Sequence, residues 1–113
     1  MRTCAALVVL LLLAAPARAD EPVEPEEIVA AAKPLRDAWD RCLAAFVRPR
    51  IGGGDPAEAL ADRALDRCKA REAALGALLA RRLGRTRAAR ILAEARDGIR
   101  TGLIDTVETL RAK

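Results

Sequence analysis

Two cysteines, Cys42 and Cys68, flank the turn Gly52-Gly53-Gly54-Asp55-Pro56 and stand thirteen residues to either side of Asp55. In two antiparallel helices that reverse at this turn, residues equally far from the bend lie at the same height. Each cysteine also belongs to an apolar stripe at steps of four and three. Before the turn the stripe reads Ile28, Ala32, Leu35, Trp39, Cys42 and Phe46. After the turn it reads Ala61, Leu65, Cys68, Glu72, Leu75 and Leu79, widened by Ala64, Leu78 and Leu83. The two thiols are therefore expected to face each other. A bridge needs Cα atoms roughly 4.4–6.8 Å apart, nearer than the 8–10 Å between ordinary helix axes. Ala38, Ala45 and Ala64 leave room for that approach.

Other roles for the pair fit less well. A thioredoxin-type motif keeps its cysteines two residues apart at a helix N-terminus, where the dipole lowers one thiol's pKa. Here the cysteines are far apart and mid-helix on this reading. The chain has no histidine, so a zinc site would have to be built from two thiolates and carboxylates, unlike the usual structural sites. A structural disulfide is the expectation. Chain-entropy reasoning for a loop of this length gives it about 3.5 kcal/mol.

The N-terminal residues bear on whether such a bridge closes. Arg2 precedes an apolar run from Ala5 to Ala15, and Ala17-Arg18-Ala19 supplies a small-x-small pattern before Asp20. This is the layout of a secretory signal peptide, with an apolar run too short to span a bilayer. Residues 1–19 are expected to be removed, taking Cys4 with them. The remaining pair then sits in an oxidising compartment, periplasmic or extracellular, where closure is expected. With Arg2 and Arg18 gone, 18 Lys/Arg stand against 16 Asp/Glu, so the isoelectric point near 9.5 of the whole chain says little about partners.

From Asp20 to Glu27 the chain is a Pro/Glu-rich lead-in expected to be flexible, and residues 28–113 form one helical domain. Pro34 interrupts the first stripe; the helix either kinks there or begins there. Three glycines suit the reversal. Asp55 as N-cap, Pro56 at N1 and Glu58 at N3 then form a capping-box pattern. Gly84 is placed to end the second helix, with Arg81 and Arg82 near its negative pole. Thr86 is placed to cap a third helix, whose face reads Ile91, Leu92, Ala95, Ile99, Leu103, Val107 and Leu110. A single long, kinked helix in place of helices two and three remains open. The expected fold is all-α: a disulfide-stapled antiparallel helical hairpin with a third helix packed on it, a small three-helix bundle.

The stretch Trp39-x-x-Cys42, then Pro56-Ala57-Glu58, Ala64 and Cys68-x-x-x-Glu72-x-x-Leu75 resembles short, uncharacterised secreted proteins of alphaproteobacteria, over about a third of the chain. The resemblance implies a two-cysteine helical hairpin and a secretory address. It transfers no activity and no binding residue.

Composition narrows function by what is missing. The chain has no Ser, His, Tyr, Asn or Gln. No Ser-His triad or Cys-His dyad can be assembled, and the commonest general base is absent. Trp39 and Phe46 are the only aromatic residues, too few for a stacking platform. Neither an enzyme nor a cofactor or metal site is expected. Glu72, on the apolar stripe, is expected to snorkel or to pair with a base from another helix. Gly98, Gly102 and Thr106 mark a small-residue face that permits close helix approach, within one chain or between two; local fraying is an equally plain reading.

Charge is uneven along the chain. Residues 81–113 hold nine Lys/Arg against four acids, whereas residues 20–80 hold nine against twelve. Arg81, Arg82, Arg85, Arg87 and Arg90 crowd the junction of helices two and three. They read as a solvated turn or as an anion-binding cluster. The function expected is a small, exported, non-enzymatic helical interaction module with a protein partner. The alternative is an electrostatic binder of anionic lipid or lipopolysaccharide through the Arg81–Arg90 cluster. Nucleic acid is not an expected partner, since no groove-reading motif is present.

Overall fold

The computed structural model describes residues 25–113. The expected signal peptide, Cys4 and residues 20–24 of the lead-in lie outside the described residues. Among the described residues every regular element is helical: α1 spans Pro25–Val47, α2 Ala57–Arg67, α3 Lys69–Leu83 and α4 Arg85–Arg111, with a short 3₁₀ turn at Arg48–Arg50.

Helix α1 begins at Pro25, so the last residues of the lead-in form its first turn. Proline suits a first helical position because its missing N–H has no partner there, and Glu26 and Glu27 favour the positive pole. Pro34 lies inside this helix and does not start it. Its ring is exposed, where water can serve the carbonyl that lost its donor.

The expected cap at Asp55 does not form. Helix α2 starts at Ala57 behind Pro56, with no side chain capping it. The Asp55 carboxylate instead accepts from Arg63 Nη1 at 2.5 Å. A charge-assisted bond to a guanidinium outcompetes the neutral N–H donors of the first turn. The pattern at Glu58 therefore completes no capping box.

The second expected helix is two. Cys68 departs from helical backbone at φ −100° and ψ 17°, separating α2 from α3. The interruption is slight: Cys68 N–H still donates to the Ala64 carbonyl at 3.0 Å, and the Cys68 carbonyl accepts from Arg71 and Glu72. It falls at the residue the disulfide draws toward α1. The Cα atoms of Cys42 and Cys68 are 5.9 Å apart, well inside ordinary helix spacing. Cys68 is thus at a helix junction, not mid-helix. Of the three alanines expected to ease the approach, Ala64 is buried and Ala38 half-buried, whereas Ala45 is exposed.

Helices α3 and α4 are separate. Gly84, the one residue between them, takes φ 88° and ψ 158°, a conformation that favours glycine. Thr86 lies within the first turn of α4 and caps nothing; the N-cap is Gly84.

Trp39, Leu60, Leu65 and Val107 are fully enclosed and bind α1, α2 and α4 into one core with Leu75 and Leu79 of α3. The Trp39 indole N–H is buried without an acceptor among the described residues. Such a loss costs about 1–3 kcal/mol and is set against the burial of the largest side chain in the protein. Along α4 the cross-links run in reverse order to α2 and α3. Arg96 binds Glu72, Arg100 binds Asp62, and Arg111 donates to the carbonyls of Ile51 and Asp55 at 2.7 and 2.6 Å. The last pair ties the C-terminus of α4 to the glycine-rich turn.

Candidate functional site: the cleft between α1 and α4

Helices α1 and α4 each pack on α2 and α3 and hardly on each other. The space between them is a cleft floored by core side chains. Toward the glycine-rich turn its walls are Leu43 and Val47 of α1 and Ile99 and Leu103 of α4. Toward the other end they are Ile28, Val29 and Ala32 of α1 and Ile91 and Leu92 of α4, over Leu75, Leu79 and Leu83 of α3. Arg36 and Ala95 line both stretches, so the two adjoin. The second stretch has a volume of about 910 Å³, within the range of roughly 300–1,000 Å³ usual for small-molecule sites.

Exposure singles out the same place. Among the described residues three large apolar side chains are exposed: Val29, Ile91 and Leu110. All three line the cleft. Scattered exposed apolar residues are ordinary on a protein surface, but gathering them in one concavity is what binding sites do.

The small-residue face of α4 also looks into the cleft. A Cβ built on Gly98 or Gly102 would meet no atom within 4 Å. Among the described residues no helix approaches closely there. The close approach lies instead at Gly76 of α3, where a Cβ would stand 3.0 Å from Leu92 Cδ2 of α4.

All five arginines of the expected anion-binding cluster are exposed, and none is ion-paired among the described residues. The fold divides them. Arg82 and Arg87 stand on the rim of the cleft, while Arg81, Arg85 and Arg90 do not line it. At the same end of the cleft the other rim charges are engaged, Lys33 Nζ bonding Asp37 at 2.8 Å and Arg36 Nε bonding Asp40 at 3.2 Å, whereas Arg48 lines the far stretch exposed and without an ion pair among the described residues. The Lys33 hydrogen bond holds the Asp37 carboxyl below its ordinary pKa, and the Arg100 hydrogen bond does the same for Asp62.

Glu72 meets the expectation of a cross-helix partner. It is a half-buried carboxylate on α3 bound by Arg96 of α4, and this pairing ties it into the helix packing. Among the described residues no three metal-binding side chains are grouped, and no helix is long and apolar enough to cross a membrane.

Sequence reasoning missed the cleft. The available signal was that Val29, Leu43 and Val47 broaden the apolar face of α1 beyond the single stripe read from Ile28 to Phe46. Comparison with protein-family models, curated proteins and solved structures finds no match.

Proposed function

We propose that this chain is a small, exported, non-enzymatic helical binding module. Its architecture is a disulfide-stapled antiparallel hairpin of α1 against α2 and α3, with α4 returning along it as the third element of a small bundle. Its binding element is the cleft between α1 and α4. The observation that carries this reading is that Val29 and Ile91, two of the three exposed large apolar residues among those described, line one stretch of that cleft, and the third, Leu110, lines the adjoining stretch. A neutral apolar dye such as Nile red tests it. Saturable binding that is lost in Val29→Asp with Ile91→Asp is expected; absence of binding, or equal binding by the variant, overturns the reading.

A second reading has its own observation. Arg81, Arg82, Arg85, Arg87 and Arg90 leave five exposed guanidinium groups, none ion-paired among the described residues, around the α3–α4 corner. The α3 C-terminus and the α4 N-terminus meet at Gly84, so their opposed dipole ends offset one another and the arginines dominate the local potential. On this reading the corner attracts anionic lipid or lipopolysaccharide at the envelope surface.

A further inference from the structure

We infer that the Arg82–Arg87 end of the cleft is a site for an amphiphile with one alkyl chain and one anionic head group, a long-chain carboxylate being its simplest form. The inference rests on the reading of the cleft as the binding element and deepens it by naming the ligand chemistry.

The wall is aliphatic on three sides. Ile28 and Val29 of α1, Leu79 and Leu83 of α3, and Ile91 and Leu92 of α4 surround a trough open to solvent. None of these side chains offers a hydrogen bond, so the trough suits a chain without polar atoms and penalises polar groups turned onto its walls, as a peptide or sugar would have. It is elongated as well. The α1 residues from Ile28 to Asp37 line it, which at 1.5 Å per helical residue is about 13 Å, and a second stretch adjoins it at Arg36 and Ala95. A linear alkyl chain fills a trough of this shape.

Charge complementarity selects the head group. Arg82 and Arg87 stand where α3 ends and α4 begins, beside Leu83 and Ile91. Both are exposed and neither is ion-paired among the described residues. The remaining rim cations of this end, Lys33 and Arg36, already hold Asp37 and Asp40. An entering anion therefore meets two uncommitted guanidinium groups at one end of an apolar trough, and guanidinium binds carboxylate or phosphate oxygens two at a time. A neutral or cationic amphiphile gains only the trough.

The test titrates the purified protein calorimetrically with dodecanoate below its micelle concentration at low salt. Parallel arms use a neutral dodecyl glycoside, also below its micelle concentration, and vesicles containing anionic phospholipid. Dodecanoate is expected to bind saturably with one site. The neutral glycoside, Arg82→Gln with Arg87→Gln, and Val29→Asp with Ile91→Asp should each weaken binding at least tenfold. All four positions are exposed, so the variants should keep the wild-type circular dichroism and an intact disulfide. Lack of saturable dodecanoate binding overturns the proposal. Equal affinity for the neutral glycoside, or arginine variants that bind like wild type, overturns the anionic selection while leaving the cleft reading in place. Binding to vesicles without binding to monomeric dodecanoate assigns the arginines to a membrane surface and likewise overturns it. A failed dye experiment removes the cleft reading itself.

Discussion

Cys42 of α1 and Cys68, at the α2–α3 junction, are bonded with their Cα atoms 5.9 Å apart. They pin the helices on either side of the glycine-rich turn at matching distances from Asp55. Cys68 is buried within the core, so the bridge is expected to resist reduction while the fold is intact. Replacing both cysteines by alanine should lower the melting temperature markedly, in line with about 3.5 kcal/mol for a closed loop of this length. Helical content at low temperature should persist, because helix propensity does not depend on the bridge. Mass after alkylation of the folded protein without reductant checks the pairing. Alkyl groups added at Cys42 and Cys68 would contradict it.

Arg100 Nε donates to Asp62 Oδ1 at 2.7 Å, and Nη2 reaches Oδ2 at 3.3 Å, linking α4 to α2. The carboxyl of Asp62 is held below its ordinary value, as is that of Asp37 by Lys33. A carboxylate whose pKa is lower folded than unfolded adds stability above its unfolded pKa, near 3.8 here. That contribution disappears as the pH falls through the depressed folded value. Thermal melts should therefore be flat above about pH 5 and fall below about pH 4. Asp62→Asn should make the fall shallower. The effect should be small, because both pairs are solvent-exposed and screened. A melting temperature that rises on acidification would contradict the assignment.

Gly98 and Gly102 sit inside α4 with open space where a side chain would go. Glycine in a helix interior costs about 1 kcal/mol relative to alanine, so Gly98→Ala and Gly102→Ala should each stabilise the protein by about 0.5–1 kcal/mol. Gly76→Ala should gain less or lose, since its Cβ would stand 3.0 Å from Leu92 Cδ2. Urea unfolding of the three variants gives the comparison. A loss of stability at Gly98 or Gly102 would mean that another surface packs on this stripe.

The arginine corner makes a separate, salt-dependent prediction. If it contacts anionic surfaces, co-sedimentation with anionic vesicles at low salt should disappear in Arg82→Gln, Arg85→Gln, Arg87→Gln and at high salt alike, with helicity unchanged. Screening over roughly 10 Å at 0.1 M salt sets the scale. A wild-type protein that ignores such vesicles would remove the electrostatic reading.

The local grammar of this fold was readable from residue order. Spacing at three and four residues marked the buried faces of α2 and α3, Gly84 marked a helix end, and the two cysteines named their own partner. Tertiary competition was not readable in the same way. Asp55 had a pattern suited to capping, but Arg63, two turns along α2, takes its carboxylate. Periodicity foretold one long helix through Cys68, where the bridge interrupts it. Periodicity also reports which face of a helix is apolar without saying how many neighbours cover it. The face of α4 was expected to be buried, yet its Ile91 and Leu110 remain exposed on the open wall, opposite a Val29 that the stripe on α1 did not include. Arg111, at the end of the chain, gave no local sign of the carbonyls of Ile51 and Asp55 that it binds.

A ligand held in the cleft between α1 and α4 would shift the methyl resonances of the side chains that line it. Methyl NMR during titration with dodecanoate reads it most directly, because valine, leucine and isoleucine methyls report on both the cleft and the opposite core. Saturable shifts are expected at Ile28, Val29, Leu83, Ile91 and Leu92, with Leu60 and Leu65 unmoved in the interior. Shifts spread evenly over the molecule, or confined to Leu60 and Leu65, would contradict binding in the cleft.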